Sequence, residues 1–257
     1  MSDSSERTGL PELNAFECLM YVVGVFLGGL TALVGPPQSA KTVLLLHLIA
    51  KLVAAGKICL LADMGAPWDL MRKLGLLMSD GTGHLGLDHL EPRLFADLER
   101  EICKYREVLH CAFLDQLAGL SLFQPQRDRY SDIPKTREED TVRLIAAQTE
   151  RVNQLYRLRD CAHNFGINIV LAVDPSVPHL PDVRGFGTSE SNFPEIDHIS
   201  DALFFVEPLA FYDIDYCGPR RYRLVAKKLP TTLAKFEGQS CVLELDRRTA
   251  ELTVVQG

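Results

Sequence analysis

The sequence predicts an α/β protein with a mainly parallel central sheet, helices on both faces and antiparallel strands at the C-terminal end. Three observations carry that expectation. Short apolar runs alternate with helical stretches, the order that right-handed β-α-β crossovers require. Runs such as "INIVLAV" (167–173) are almost continuously apolar, which fits strands covered on both faces. The last third instead holds three strand-like runs separated only by turn-like segments, which suits antiparallel pairing.

Residues 1–14 are polar and read as a flexible tail without a secretory signal; residues 15–257 read as one domain. The run 18–34, "CLMYVVGVFLGGLTALV", carries no charge but is short for a membrane span and is broken by Gly24, Gly28 and Gly29. It is expected to form two buried strands joined by a Gly-Gly turn, the second being "LTALV" (30–34). Residues 41–55 predict a helix apolar all round except His47 and Lys51, hence buried, and closed by Gly56. "KICLLADM" (57–64) is the next strand. Helices follow over 67–78 and 92–108, the second with Leu94, Phe95, Leu98, Ile102 and Tyr105 on one face. "LHCAFLDQL" (109–117) is a strand ending in an acid. After a polar loop (119–135), "TREE" (136–139) makes a capping box for a long helix reaching Asn164. "INIVLAVD" (167–174) is a strand, 175–199 a loop, and "DALFFVE" (201–207) another strand. The tail strands are expected over 221–228, 240–246 and 250–255.

Composition narrows the function classes. With 257 residues, 47% hydrophobic and 24% charged, the chain can bury a core without metal or disulfide staples. A net charge of -7 argues against wholesale electrostatic capture of nucleic acid, so any such surface must be local. Seven cysteines without a Cys-x-x-Cys pair point to reduced, mostly buried thiols, no metal cluster and an intracellular protein, nuclear in a eukaryote or cytoplasmic in a prokaryote.

The motif with chemistry in it is "GPPQSAKT", Gly35, Pro36, Pro37, Gln38, Ser39, Ala40, Lys41 and Thr42. It sits between a predicted strand and a predicted helix, where backbone N–H groups and the helix N-terminus can cradle the phosphates of ATP. Lys41 would reach the outer phosphates and the Thr42 hydroxyl would coordinate Mg²⁺. Ala40 replaces the second glycine of the usual pattern. At a near-helical position alanine costs little, so Ala40 is expected to be the mildest departure, with phosphate binding kept. Asp115, closing a strand, is the acid expected to hold the magnesium water shell. Asp63 and Asp174 close two further strands and are catalytic candidates, as water-orienting base and γ-phosphate sensor. His110, His163 and His198 have no partner spacing for catalysis and read as structural.

Taken in order, "GGLTALVGPPQSAKT", "GKICLLADM", "CAFLDQL", "GINIVLAVDP", "ISDALFFVE" and "RRYRLVAKK" resemble the RecA-type ATPase core over residues 20–257. That superfamily includes the recombinases and their paralogues, DnaB-type helicases and the KaiC group. The resemblance implies a RecA-like three-layer P-loop NTPase with ATP and Mg²⁺ at the sheet edge. It also implies homo- or hetero-oligomers with RecA-like subunits, and DNA contacted by two loops. The family's catalytic glutamate falls on Asp63, one methylene shorter, and its polar sensor on Asp174, whose charge repels phosphate. Leu229 stands near the place of a trans-acting arginine, with Lys227 and Lys228 as substitutes. The first loop (119–140) carries Arg127, Arg129, Lys135 and Arg137 among Phe123 and Tyr130, a mixture suited to single-stranded DNA; the second (176–197) carries Arg184. "FYDIDYCG" (211–218) is a candidate partner surface. Together these departures imply an accessory, recombinase-paralogue-like subunit in DNA recombination and repair. It would bind ATP, hydrolyse it weakly or with a partner, and engage single-stranded DNA or a recombinase, without membrane association. The alternatives are an active DnaB- or KaiC-type ring ATPase or helicase, and a non-enzymatic scaffold with a vestigial nucleotide site.

Overall fold

Asn14 opens the first helix, α1 (Ala15–Gly24). Its side chain accepts from the Phe16 and Glu17 N–H groups, and the Glu17 carboxylate accepts from the Asn14 N–H at 2.8 Å, a reciprocal cap. Cys18, Leu19, Val22 and Val23 are buried, which is helical spacing, so the expected first strand of 18–34 is a helix. An uncharged run reads alike at either period; the cap "NAFE" just before it was the deciding signal. Only its second half is a strand, β1 (Gly29–Val34).

The computed structural model describes residues 12–26, 28–36, 38–62, 68–76, 86–90, 95–115, 137–173, 194–210, 218–246 and 248–255. The elements after β1 are α2 (Lys41–Ala54), β2 (Ile58–Ala62), α3 (Trp68–Lys73), β3 (Leu87–Leu90), α4 (Phe95–Tyr105), β4 (Leu109–Leu114) and α5 (Arg137–Phe165). Then come β5 (Asn168–Val173), α6 (Pro194–Ile199), β6 (Ala202–Pro208), β7 (Arg220–Lys228), a 3₁₀ turn (Thr231–Phe236), β8 (Ser240–Asp246) and β9 (Glu251–Val255). Two elements were not foreseen. β3 is a four-residue edge strand, too short to declare itself, and α6 lies within the stretch expected to be loop. α3 stops at Lys73 rather than running to 78, because Gly75 takes a left-handed φ of 71° that ends the helix.

Among the described residues, nine strands join one sheet in the order β3-β2-β4-β5-β1-β6-β7-β8-β9; it is parallel from β3 to β6 and antiparallel from β6 to β9. Side-chain alternation divides the core in two. Leu33, Leu61, Phe113, Ala172 and Phe204 pack with α1 and α2 on one face. Leu30, Ala32, Val34, Leu114 and Leu171 pack with α4, α5 and α6 on the other. The almost wholly apolar α2 is buried as expected, with Leu44, Leu45, Leu46, Leu48 and Ile49 inside. Cys18, Cys59 and Cys111 are buried, and burial pushes the Cys59 thiol up to about 12. No helix among the described residues is long and apolar enough to cross a membrane.

Asp201 fastens the start of β1. Its Oδ2 accepts from the Leu30 N–H at 2.9 Å, while its own N–H donates to the Leu30 carbonyl at 2.7 Å. From α5, Arg159 donates to Oδ1 and His163 Nε2 donates to Oδ2, each at 2.9 Å. Burial alone pushes the Asp201 carboxyl up, but the Leu30, Arg159 and His163 hydrogen bonds outweigh it and hold the group below the ordinary carboxylate range. A carboxyl that is a stronger acid when folded adds stability above its unfolded value of about 3.9, and that stability disappears as pH falls through the folded value. Asp201→Asn should therefore lose about 1–3 kcal/mol at pH 7 in urea unfolding. Near pH 3 the variant and the parent should approach each other; an equal gap at both pH values would rule the carboxylate out as the cause.

Candidate functional site

β1 is the switch point of the sheet. The chain leaves it through α2 toward β2 on one side, while β6 flanks it on the other, and open α/β sheets bind ligands where strand order divides in this way. The loop leaving β1 has little room. The Gly35 N–H donates to the Val173 carbonyl at 3.2 Å, and a side chain at 35 would meet the Val206 carbonyl oxygen at 2.3 Å and Ser39 Oγ at 2.6 Å. Glycine is required there by close approach.

Gln38 and Ala40 both take left-handed backbone conformations, with φ of 64° and 63°. This overturns the expectation that position 40 is near-helical and cheap for alanine. The residue is the N-cap of α2, left-handed, and supplies no side-chain acceptor to the first turn. The missing glycine is missing where its conformational freedom would be used, at a cost of roughly 1–2 kcal/mol for each such L-residue. Strain of this kind gathers at ligand-binding turns, and two strained residues among three consecutive positions mark Gly35–Thr42 as the candidate site.

Lys41 organises the loop. Its ammonium donates to the Gly35 carbonyl at 2.6 Å, the Pro36 carbonyl at 2.9 Å and Ser39 Oγ at 3.1 Å, and the residue is 9% exposed. Ser39 is wholly buried, so its hydroxyl serves the loop interior. Thr42 follows, half-buried, in the first turn of α2; Pro37 lies outside the described residues.

Asp115 is 2% exposed one residue beyond β4, and its N–H donates to the Ala62 carbonyl at 3.0 Å. The registers Leu114↔Leu171 and Leu171↔Ala32 place it level with Leu33, two strands from β1 and roughly 10 Å across the sheet. Alternation with Phe113 puts it on the α1–α2 face, where α2 begins. A hydroxyl and a carboxylate are hard oxygen donors suited to Mg²⁺, which needs only one or two protein ligands when phosphates supply the rest. Accordingly, a cage of three or more His, Cys, Asp or Glu side chains is not needed, and none occurs among the described residues.

Asp63 and Asp174, immediately after β2 and β5, lie outside the described residues, as do Arg127, Arg129, Lys135, Arg184 and the segment 211–217. Arg137 begins α5, but its side chain is likewise outside them. The two C-terminal lysines separate. Lys228 pairs with Leu203, and Leu203 with Ala32, three residue levels or roughly 10 Å short of Gly35. Its ammonium donates to the Asp197 and Ser200 carbonyls at 2.9 and 2.6 Å, so Lys228 caps the end of α6 in its own chain rather than reaching outward. Lys227 is exposed, 5.3 Å above the Phe205 ring. Leu229 is 5% exposed in the α1–α2 core, a packing position rather than a surface one. The Asp201 clamp and the approach of Val206 to Gly35 were not visible in sequence, because both join residues far apart in the chain.

No protein-family model matches the chain, and no curated protein matches its sequence significantly. Ala40→Gly should raise the unfolding free energy by about 0.5–1 kcal/mol, the relief of strain less the larger unfolded-state entropy of glycine. Gly35→Ala should lower it by about 1–3 kcal/mol through overpacking against Val206. Denaturant titrations of both variants test the loop geometry; a destabilising Ala40→Gly would contradict it.

Proposed function

We propose that the chain is a RecA-like P-loop protein that binds ATP with Mg²⁺ at Gly35–Thr42. In this reading it acts as an accessory, recombinase-paralogue-like subunit in DNA recombination or repair, engaging single-stranded DNA or a recombinase partner. One observation carries the nucleotide reading: a strained, glycine-dependent turn wraps the Lys41 ammonium at the end of a central strand and leads directly into a helix. Such a turn would offer a phosphate chain the positive end of α2 and, once released from its own loop, the Lys41 ammonium.

Lys41 would exchange its contacts with Gly35, Pro36 and Ser39 for phosphate oxygens, so the site starts from a closed-up loop. The first-turn N–H groups of α2 point along the helix axis toward the same place. Thr42 and Asp115 would hold Mg²⁺, which neutralises and orients the phosphates when bound.

Weak hydrolysis fits the remaining groups. Asp63 is one methylene shorter than the glutamate it would replace, and a misplacement of about an ångström can cost ~10²-fold in rate. Leu229 is an uncharged core residue and Lys228 is committed to α6, which leaves the exposed Lys227 as the lysine that could reach a neighbouring subunit. A partner subunit would then complete the site.

Lys41→Ala should weaken ATP binding by about 10- to 100-fold in calorimetric titration with Mg²⁺, the worth of charge-assisted contacts. An unfolding scan of the same variant separates that loss from any damage to the loop. Robust ATP turnover by the purified chain alone would overturn the partner-dependent reading, and unchanged binding by a folded Lys41→Ala would overturn the site.

A further inference from the structure

We propose that β9 is the edge through which a second copy of this chain joins the sheet, antiparallel, about a two-fold axis at Thr253. This inference does not depend on nucleotide binding. β9 ends the sheet and has β8 as its neighbour there. Every other residue of such a strand turns its N–H and carbonyl groups away from the existing partner, ready for another strand. Edge strands are normally blunted by charged side chains, proline or a bulge. "ELTVV" has a single charge, Glu251 at its first position, and no proline, and its five pairs with β8 run without a register shift, unlike β2–β4 and β6–β7.

The edge is also held in place. Asp246 Oδ1 accepts from the Arg248 and Thr249 N–H groups at 2.8 and 3.3 Å, shaping the turn before β9. His47 on α2 donates to the Ala250 carbonyl at 2.7 Å, and Lys73 at the end of α3 donates to the Arg248 carbonyl at 3.0 Å. A strand anchored in this way loses little further freedom on pairing.

Its sequence is complementary to itself. Directly opposed residues of antiparallel strands share a face, and the register centred on Thr253 is the one that pairs all five residues. Thr253 then meets Thr253, Leu252 meets Val254, and Glu251 meets Val255. No like charges are opposed. Leu252 and Val254 lie on the face that carries Leu245 and Leu243, so the apolar surface of that face continues from one copy into the other. Val254, 38% exposed in the single chain, is covered by its neighbour's Leu252. A two-fold axis through the sheet keeps both copies facing the same way and closes the assembly at two. An interface this small belongs with weak, reversible dimers.

The test is light scattering after size exclusion, from about 10 to about 100 µM, a range set by so small an interface, without nucleotide. The parent chain should move from monomer to dimer across that range. Thr253 is exposed, so Thr253→Lys and Thr253→Glu should fold with unchanged unfolding midpoints. Each variant alone should dimerise at least about fivefold more weakly, because like charges are then directly opposed. An equal mixture of the two should recover the dimer. A parent that stays monomeric at the highest concentration, a dimer indifferent to Thr253→Lys, or a mixture that fails to recover would each overturn the proposal.

Discussion

The rest of the molecule depends on β1 having no open side. All six of its residues are buried, β5 and β6 pair both of its edges, and helices cover both of its faces. A strand so enclosed can leave the sheet only through a tight turn at its end. That requirement explains Gly35 against the Val206 carbonyl, and the left-handed residues at 38 and 40. The same enclosure makes the start of β1 valuable, and Asp201 secures it by exchanging two hydrogen bonds with Leu30 while gathering Arg159 and His163 from α5.

The loop at the far end is built from opposing terms. Two L-residues in left-handed conformations cost free energy, roughly 1–2 kcal/mol each. The buried Lys41 ammonium offsets part of that by drawing two carbonyls and a hydroxyl around itself. Under the proposed nucleotide reading, an anion competing for that cation would loosen the turn. Stability and ligand response would then reside in the same side chain, next to the left-handed Ala40.

Much of the architecture was legible in the sequence. Short apolar runs located β1, β2, β4, β5 and β6 to within a few residues, because burial on both faces leaves a strong compositional mark; α2 was legible as a continuous apolar run closed by Gly56, and α5 from its capping box. The C-terminal strands were legible from their turns. Periodicity failed over 18–34, where every residue is apolar or glycine, threonine or cysteine and a helix and a strand look alike; the Asn14–Glu17 cap carried the missing information. The turn over 35–40 was expected between a strand and a helix and lies between β1 and α2, but Ala40 was misjudged, since a dihedral angle leaves no trace in residue type when the usual glycine is absent.

By itself, then, the sequence determined the alternation of strands and helices, the place of the glycine- and lysine-bearing turn between two buried elements, and an acid, Asp115, at the end of another strand. Those features follow from local composition and short-range spacing. Only the tertiary structure decided that Lys41 turns inward to its own loop, that Lys228 is tied to α6, that Leu229 is core, and that Asp201 clamps β1. Each of these depends on which distant strand becomes a neighbour. Strand order is set by packing a whole sheet at once, and no local pattern of residues encodes it.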